Sequence, residues 1–205
     1  MKIVFFSESQ INGKIPRDFP NARTEYAWMM ALDAPHFNIN SQVEGKYDLG
    51  IVIIPKTNPQ INLDKIRESC DKVAVMQEGP HWYFQDYSIS QQFHYYNLLM
   101  TADWVYCHNE SDVNYYTGLG CKDVRVMRSL MIPTGLNPRT EKGNGTIIGG
   151  NFVSWYGGFD SFMTAMWLRD SITAPSMGRK QEEEKLIEEI NYLPYLSWRE
   201  WIVEL

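Results

Sequence analysis

"DLGIVIIPKTNPQINLDKIRESCDKVAVMQEG", residues 48–79, carries the pattern that decides the fold. Asp48 to Pro55 is a β-branched apolar run closed by proline, the signature of a strand buried on both faces. "NLDKIRESC" then places its apolar residues at helical spacing. "KVAVMQEG", Lys72 to Gly79, is a second apolar run that ends in glycine. Strand, helix and strand in about 30 residues is the unit from which parallel sheets are built.

The same alternation extends to both sides. Upstream, "KIVFF" (Lys2 to Phe6) reads as a buried strand and "HFNI" as a short second one. Between them Asn21 to Leu32 reads as a helix with Asn21 as N-cap and Tyr26, Met29 and Met30 on one face. Downstream, Ser88 to Ala102 is a helix with a serine cap, and Trp104 to Asn109 a strand. The short helix "SDVNYYTGL" and the strand "DVRVMRSL" follow. A first α/β domain over residues 1–132 is the result, with a parallel sheet and helices on both faces. Ligands of such sheets bind beyond the carboxyl ends of the strands. The loops there are "SESQ" (from Ser7 and Glu8), "PKTN", "QEGPHWYF" (with Glu78 and His81) and "CHNESD" (with His108 and Glu110).

Residues 133–145 hold prolines and glycines without apolar periodicity, which is linker composition. Alternation restarts in "TIIGG", and a second Rossmann-like domain over 146–205 is expected, incomplete at its carboxyl end. A strand edge left bare in such a domain invites pairing, so a homodimer is expected.

Composition narrows the function. Of 205 residues, 44% are hydrophobic and 21% charged, enough to bury a core. A net charge of −6 with scattered acids argues against nucleic acid held by bulk charge. Three cysteines without ligand spacing fit a reducing, cytoplasmic setting, and Cys70 and Cys107 read as small buried hydrophobes. No apolar run approaches membrane-spanning length. The four histidines are dispersed, so no metal is expected. Aromatic content of 14% exceeds what packing alone asks for, and Tyr and Trp also stack on sugars and bases.

"IIGGNFVSWYGGFDSF", Ile147 to Phe162, places four glycines before a helix whose N-cap is read as Asp160. Glycines let a backbone approach a ligand, and a helix N-terminus favours phosphate. Gly149, Gly150, Asn151 and Ser154 are therefore candidate phosphate-binding residues. Neither the dinucleotide fingerprint nor the P-loop is present. A turn that simply needs positive φ is the competing reading.

Two α/β units joined by a Pro/Gly linker, with a Gly-rich first loop in the second, resemble the GT-B glycosyltransferases. "KVAVMQEGPHWYF…LLMTADWVYCHNESDVNYY" is similar to that family's fourth and fifth strands, and "IIGGNFVSWYGGFDSF" to the first strand, loop and helix of its donor domain. The resemblance implies a nucleotide-diphosphate sugar as donor, an acceptor bound by the amino-terminal domain and no cofactor or metal. It assigns Glu78 as base or acceptor anchor with His81 beside it, and Ser7, Glu8, His108 and Glu110 to the acceptor side. Where retaining members carry a basic pair, Asn151 and Tyr156 stand, so Arg179 or Lys180 must supply charge. The family's paired donor-binding glutamates would fall past Leu205, which leaves the chain's activity open. A non-catalytic sugar- or nucleotide-binding α/β protein is the alternative. His94, inside "FHYY", reads as a packed residue, and His36 has no evident partner.

Overall fold

The computed structural model describes residues 1–21, 24–55, 58–77, 84, 87–132, 145–148, 158–168, 171–174, 188–194 and 196–204. The chain divides into two compact units, Met1–Ile132 and Pro133–Leu205.

In the first unit the strands are β1 (Ile3–Ser7), β2 (Gly13–Lys14), β3 (Pro35–Asn38), β4 (Tyr47–Ile54), β5 (Cys70–Gln77), β6 (Trp104–Cys107) and β7 (Val124–Val126). They form one sheet in the order β2-β3-β1-β4-β5-β6-β7. Every pairing is parallel except that of β2 with β3. The sheet is thus mixed, where the sequence pattern implied a parallel one. After β1 the chain turns back through Gly13, whose φ of 100° suits glycine. It then runs antiparallel along the outer edge of β3, with Gly13 opposite His36.

Side-chain alternation divides the strands between two cores. Val4, Phe6, Val52, Ile54, Val73, Val75, Val105 and Cys107 face one side. Phe5, Ile51, Ile53, Ala74 and Met76 face the other. Burial on both faces explains why these strands read as continuous apolar runs rather than alternating ones. Helices α2 (Leu63–Arg67), α3 (Ile89–Thr101) and α4 (Glu110–Gly118) cover the first face with Leu63, Ile66, Tyr95, Leu98, Leu99 and Tyr116. Helix α1 (Thr24–Ala31) covers the second through Met29, aided by Ile15 and Phe19. Each of these side chains contributes roughly 1.5–3 kcal/mol by leaving water.

Local signals fix the helix starts. The Asn62 side chain accepts from the amides of Asp64 and Lys65. Ser88 and Gln91 make a reciprocal capping box at α3, so the serine cap read from sequence is present. Helix α1 spans Thr24–Ala31, and residues 22–23, between it and the expected cap Asn21, lie outside the described residues. Helix α2 is shorter than "NLDKIRESC" suggested, because Cys70 already pairs with Tyr47 in the β4–β5 ladder.

The amino ends of the strands are locked by Asp103. It accepts from Arg67 at 2.6 Å, from Lys72 at 3.0 Å and from the Val73 amide at 2.9 Å. Burial alone would raise its carboxyl, but those donors outweigh burial and hold it at about 2.

The second unit contains strands β8 (Thr146–Ile147), β9 (Ile172–Ala174) and β10 (Ile190–Tyr192), all parallel, in the order β10-β9-β8. Helices α5 (Gly158–Leu168) and α6 (Trp198–Glu204) accompany them. Ile148, Ala165, Ile172, Ala174 and Ile190 make its small core. Two expectations are corrected here. Asp160 lies in the first turn of α5 and is not its N-cap. Ile190, the last residue of the acidic stretch "KQEEEKLIEEI", whose spacing predicts a helix with Ile190 inward, opens β10 instead, paired with Ile172. Gly145, with φ of 107°, passes so close to Ser171 that an added Cβ would lie 2.9 Å from its carbonyl oxygen. That contact and that φ require glycine before β8.

Candidate functional site

Chain order sets where a ligand can enter. From β1 the chain steps outward to β3, then returns to the other side of β1 and proceeds through β4, β5, β6 and β7. The direction of winding therefore reverses between β1 and β4. In open α/β sheets the crevice at the carboxyl ends of such a pair is the natural ligand site.

Polar residues buried in the described chain are Ser7, His36, Asn38 and Gln77. Three of them end β1, β3 and β5, and the fourth sits two residues before the end of β3. Burial of polar groups is costly unless each is hydrogen-bonded. Here each one is.

On the β1–β3 side, the parallel register pairs Phe5 with His36 and Ser7 with Asn38. All four side chains consequently share one face. Ser7 Oγ lies 2.8 Å from His36 Nε2, and His36 Nδ1 lies against the carbonyl oxygen of Ile11. A carbonyl only accepts, so Nδ1 carries the proton and Nε2 accepts from the Ser7 hydroxyl. Desolvation favours the neutral ring and lowers the His36 pKa, opposed by the Ile11 bond, which raises it. Asn38 Nδ2 donates to the carbonyls of Glu8 and Ser9 at 3.0 and 3.1 Å.

On the β5–β6 side, the Tyr95 hydroxyl donates to Gln77 Oε1 at 2.5 Å. The ring of His108, just past β6, bridges the ends of three strands. Its Nε2 lies 3.2 Å from the Gln77 carbonyl and its Nδ1 3.3 Å from that of Met127. A neutral imidazole has one N–H and donates to one of these two carbonyls. Beneath this corner, Phe84 stacks on Tyr95 with ring centroids 5.4 Å apart, and the Tyr87 hydroxyl donates to the Pro55 carbonyl at 2.7 Å. Burial pushes the hydroxyls of Tyr95 and Tyr116 well above the ordinary tyrosine range, so both remain protonated donors.

Of the residues singled out in the sequence, Ser7, Glu8, His108 and Glu110 all lie at the carboxyl edge of the sheet. They form two groups. Three inter-strand spacings, about 14 Å, separate the β1 end from the β6 end. Ser7 is buried and engaged with His36, whereas Glu8 is exposed. Glu110, in the first turn of α4, pairs with Arg128 at 2.5 Å, both exposed. Glu78, His81, Gly149, Gly150, Asn151, Ser154 and Arg179 lie outside the described residues. His94 is half-buried, and Gln60 Nε2 donates to its Nε2 at 2.7 Å.

Sequence reasoning missed His36, Asn38 and Gln77. Gln77 had a legible signal as the last polar residue of a buried strand. For His36 the partners are 29 and 25 residues away in sequence, and only the strand order brings them together.

Among the described residues no group of three or more His, Cys, Asp or Glu is placed to hold a metal ion. No described helix is long and apolar enough to cross a membrane. No protein-family model matches the chain, and no curated protein sequence matches it significantly.

Proposed function

We propose that the chain acts in glycosyl transfer from a nucleotide-diphosphate sugar, with the carboxyl edge of the first sheet as the acceptor side. What supports this reading most is the row of hydrogen-bonded polar groups at the strand ends, Ser7 and Asn38 beside the reversal between β1 and β4, and Gln77 and His108 at the ends of β5 and β6. Sugar hydroxyls are recognised by such fixed donors and acceptors, set over aromatic packing. A second parallel unit with helix α5 after β8 is compatible with a donor-binding half. Glu78 and His81 remain the proposed base and its neighbour, with Gly149, Gly150, Asn151, Ser154 and Arg179 proposed to receive the diphosphate.

The test is titration of the chain with uridine, guanosine and adenosine diphosphates and their sugar esters. A ligand at a hundred times its Kd adds about 2.7 kcal/mol to stability, a shift readily seen by melting. Stabilisation by one nucleotide series, followed by nucleoside diphosphate release when glycosides are added, is the expected result. Stabilisation by free sugars alone would assign a binding module without transfer. No response to any compound by a folded chain would overturn the reading.

A further inference from the structure

The loop between β1 and β2, residues 8–12, is held by more hydrogen bonds than a connection of five residues requires. Ser9 N donates to Ser7 Oγ at 3.0 Å, and Ile11 N to Ser9 Oγ at 3.4 Å. Asn38 Nδ2 takes the carbonyls of Glu8 and Ser9, while the Asn38 amide donates to Asn12 Oδ1 at 3.1 Å. His36 Nδ1 takes the carbonyl of Ile11. Three of the four buried polar side chains in the described chain thus serve this one loop.

His36 is the centre of that arrangement. It is fully buried, at 0% exposure, on a strand between β1 and β2. An apolar residue would fill the same space without needing partners. An imidazole instead joins the last residue of β1, through Ser7, to the far part of the loop, through Ile11. Glu8, Gln10 and Asn12 meanwhile stay exposed at the β1 side of the reversal.

We infer that His36 is a positioning residue that presets the loop 8–12, so that Glu8, Gln10 and Asn12 are presented in a fixed array to a polyhydroxylated ligand. This rests on reading the carboxyl edge as the acceptor side. Ordering the loop before binding spares the ligand that entropic cost. The inference is specific about tautomer: Ile11 accepts from Nδ1–H, and Nε2 accepts from Ser7. In water the other neutral tautomer is the ordinary one, so the assignment is a spectroscopic signature of the device.

The experiment uses the ligand-free full chain, so its failure is distinct from a failure to find glycosyl transfer. Nitrogen NMR of the wild-type protein at neutral pH should show His36 Nδ1 protonated and Nε2 bare. Hydrogen exchange should find the Ser9 and Ile11 amides protected. In Ser7→Ala and His36→Leu these two amides should exchange at least tenfold faster, while Val52 and Val75 in the sheet keep their protection. His36→Asn, which retains a donor near Nδ1, should restore part of the protection at Ile11. A proton on Nε2 with Nδ1 bare would overturn the inference in the unmodified chain, whatever the variants do. So would loop amides that exchange freely in the wild type, or that stay equally protected in both Ser7→Ala and His36→Leu.

Discussion

The Tyr95 hydroxyl sits 2.5 Å from Gln77 Oε1 beneath the end of β5, with both residues almost wholly buried. Removing that hydroxyl takes this donor from a buried amide oxygen. Tyr95→Phe should therefore destabilise the protein by about 0.5–1.5 kcal/mol, the net worth of one hydrogen bond. Urea unfolding measures the loss. A loss below about 0.5 kcal/mol would mean that the amide has turned to another partner. Because the Gln77 carbonyl faces His108, the same variant should also shift the His108 ring resonances.

Asp103 ties α2, β5 and the loop before β6 together through Arg67, Val73 and Lys72. Its folded pKa of about 2 lies below the ordinary 3.8. The unfolded chain binds this proton more readily, so the contribution is full above pH 3.8 and is lost as pH falls through about 2. Asp103→Asn should cost about 2 kcal/mol at pH 7. The stability curves of variant and wild type should converge toward pH 2. Curves that stay parallel down to that pH would assign the loss to geometry rather than to charge.

Sequence revealed the parts of the fold where one physical signal dominated. Strands β1, β4 and β5 are buried on both faces, so their apolar runs needed no context. Helix α3 carried its own capping box. Strand β2, two residues reading Gly-Lys, has no periodicity at all and exists because β3 offers an open edge. The carboxyl edge of the sheet was legible through the rule for strand ends, and Ser7, Glu8, His108 and Glu110 lie along it. The bonds of His36 and Asn38 were not, since they join segments that meet only once the strand order is known.

His36 gives a second pH dependence of opposite origin. Desolvation lowers its pKa below 6.5, so the unfolded chain takes the proton first as the medium is acidified. Stability is full above pH 6.5 and declines below it, levelling once the folded ring also protonates. Between those two points the loss approaches about 1.4 kcal/mol per pH unit. Unfolding at pH 7.5 and pH 5 should show this loss in the wild type and a smaller one in His36→Asn. Equal losses in the two proteins would place the acid sensitivity elsewhere.

Gly50 lies inside β4, where a strand rarely tolerates glycine without reason. An added Cβ would stand 2.8 Å from Cys70 Sγ and 3.2 Å from Phe6 Cε2, in a core that is already filled. Gly50→Ala should accordingly cost about 1–3 kcal/mol by overpacking. The nearest obstacle is a single sulfur atom, and this permits a sharper test. In a Cys70→Ala background the sulfur is gone and the same substitution should cost less, giving a coupling of at least about 0.5 kcal/mol in a double-mutant cycle. Burial pushes the Cys70 thiol up to about 11, so native protein should also resist alkylation at this position, whereas Gly50→Ala should admit the reagent by loosening the packing. If the penalty is unchanged in the Cys70→Ala background, Phe6 or the β4 backbone is the obstacle, and the account of Gly50 as room made for the cysteine fails.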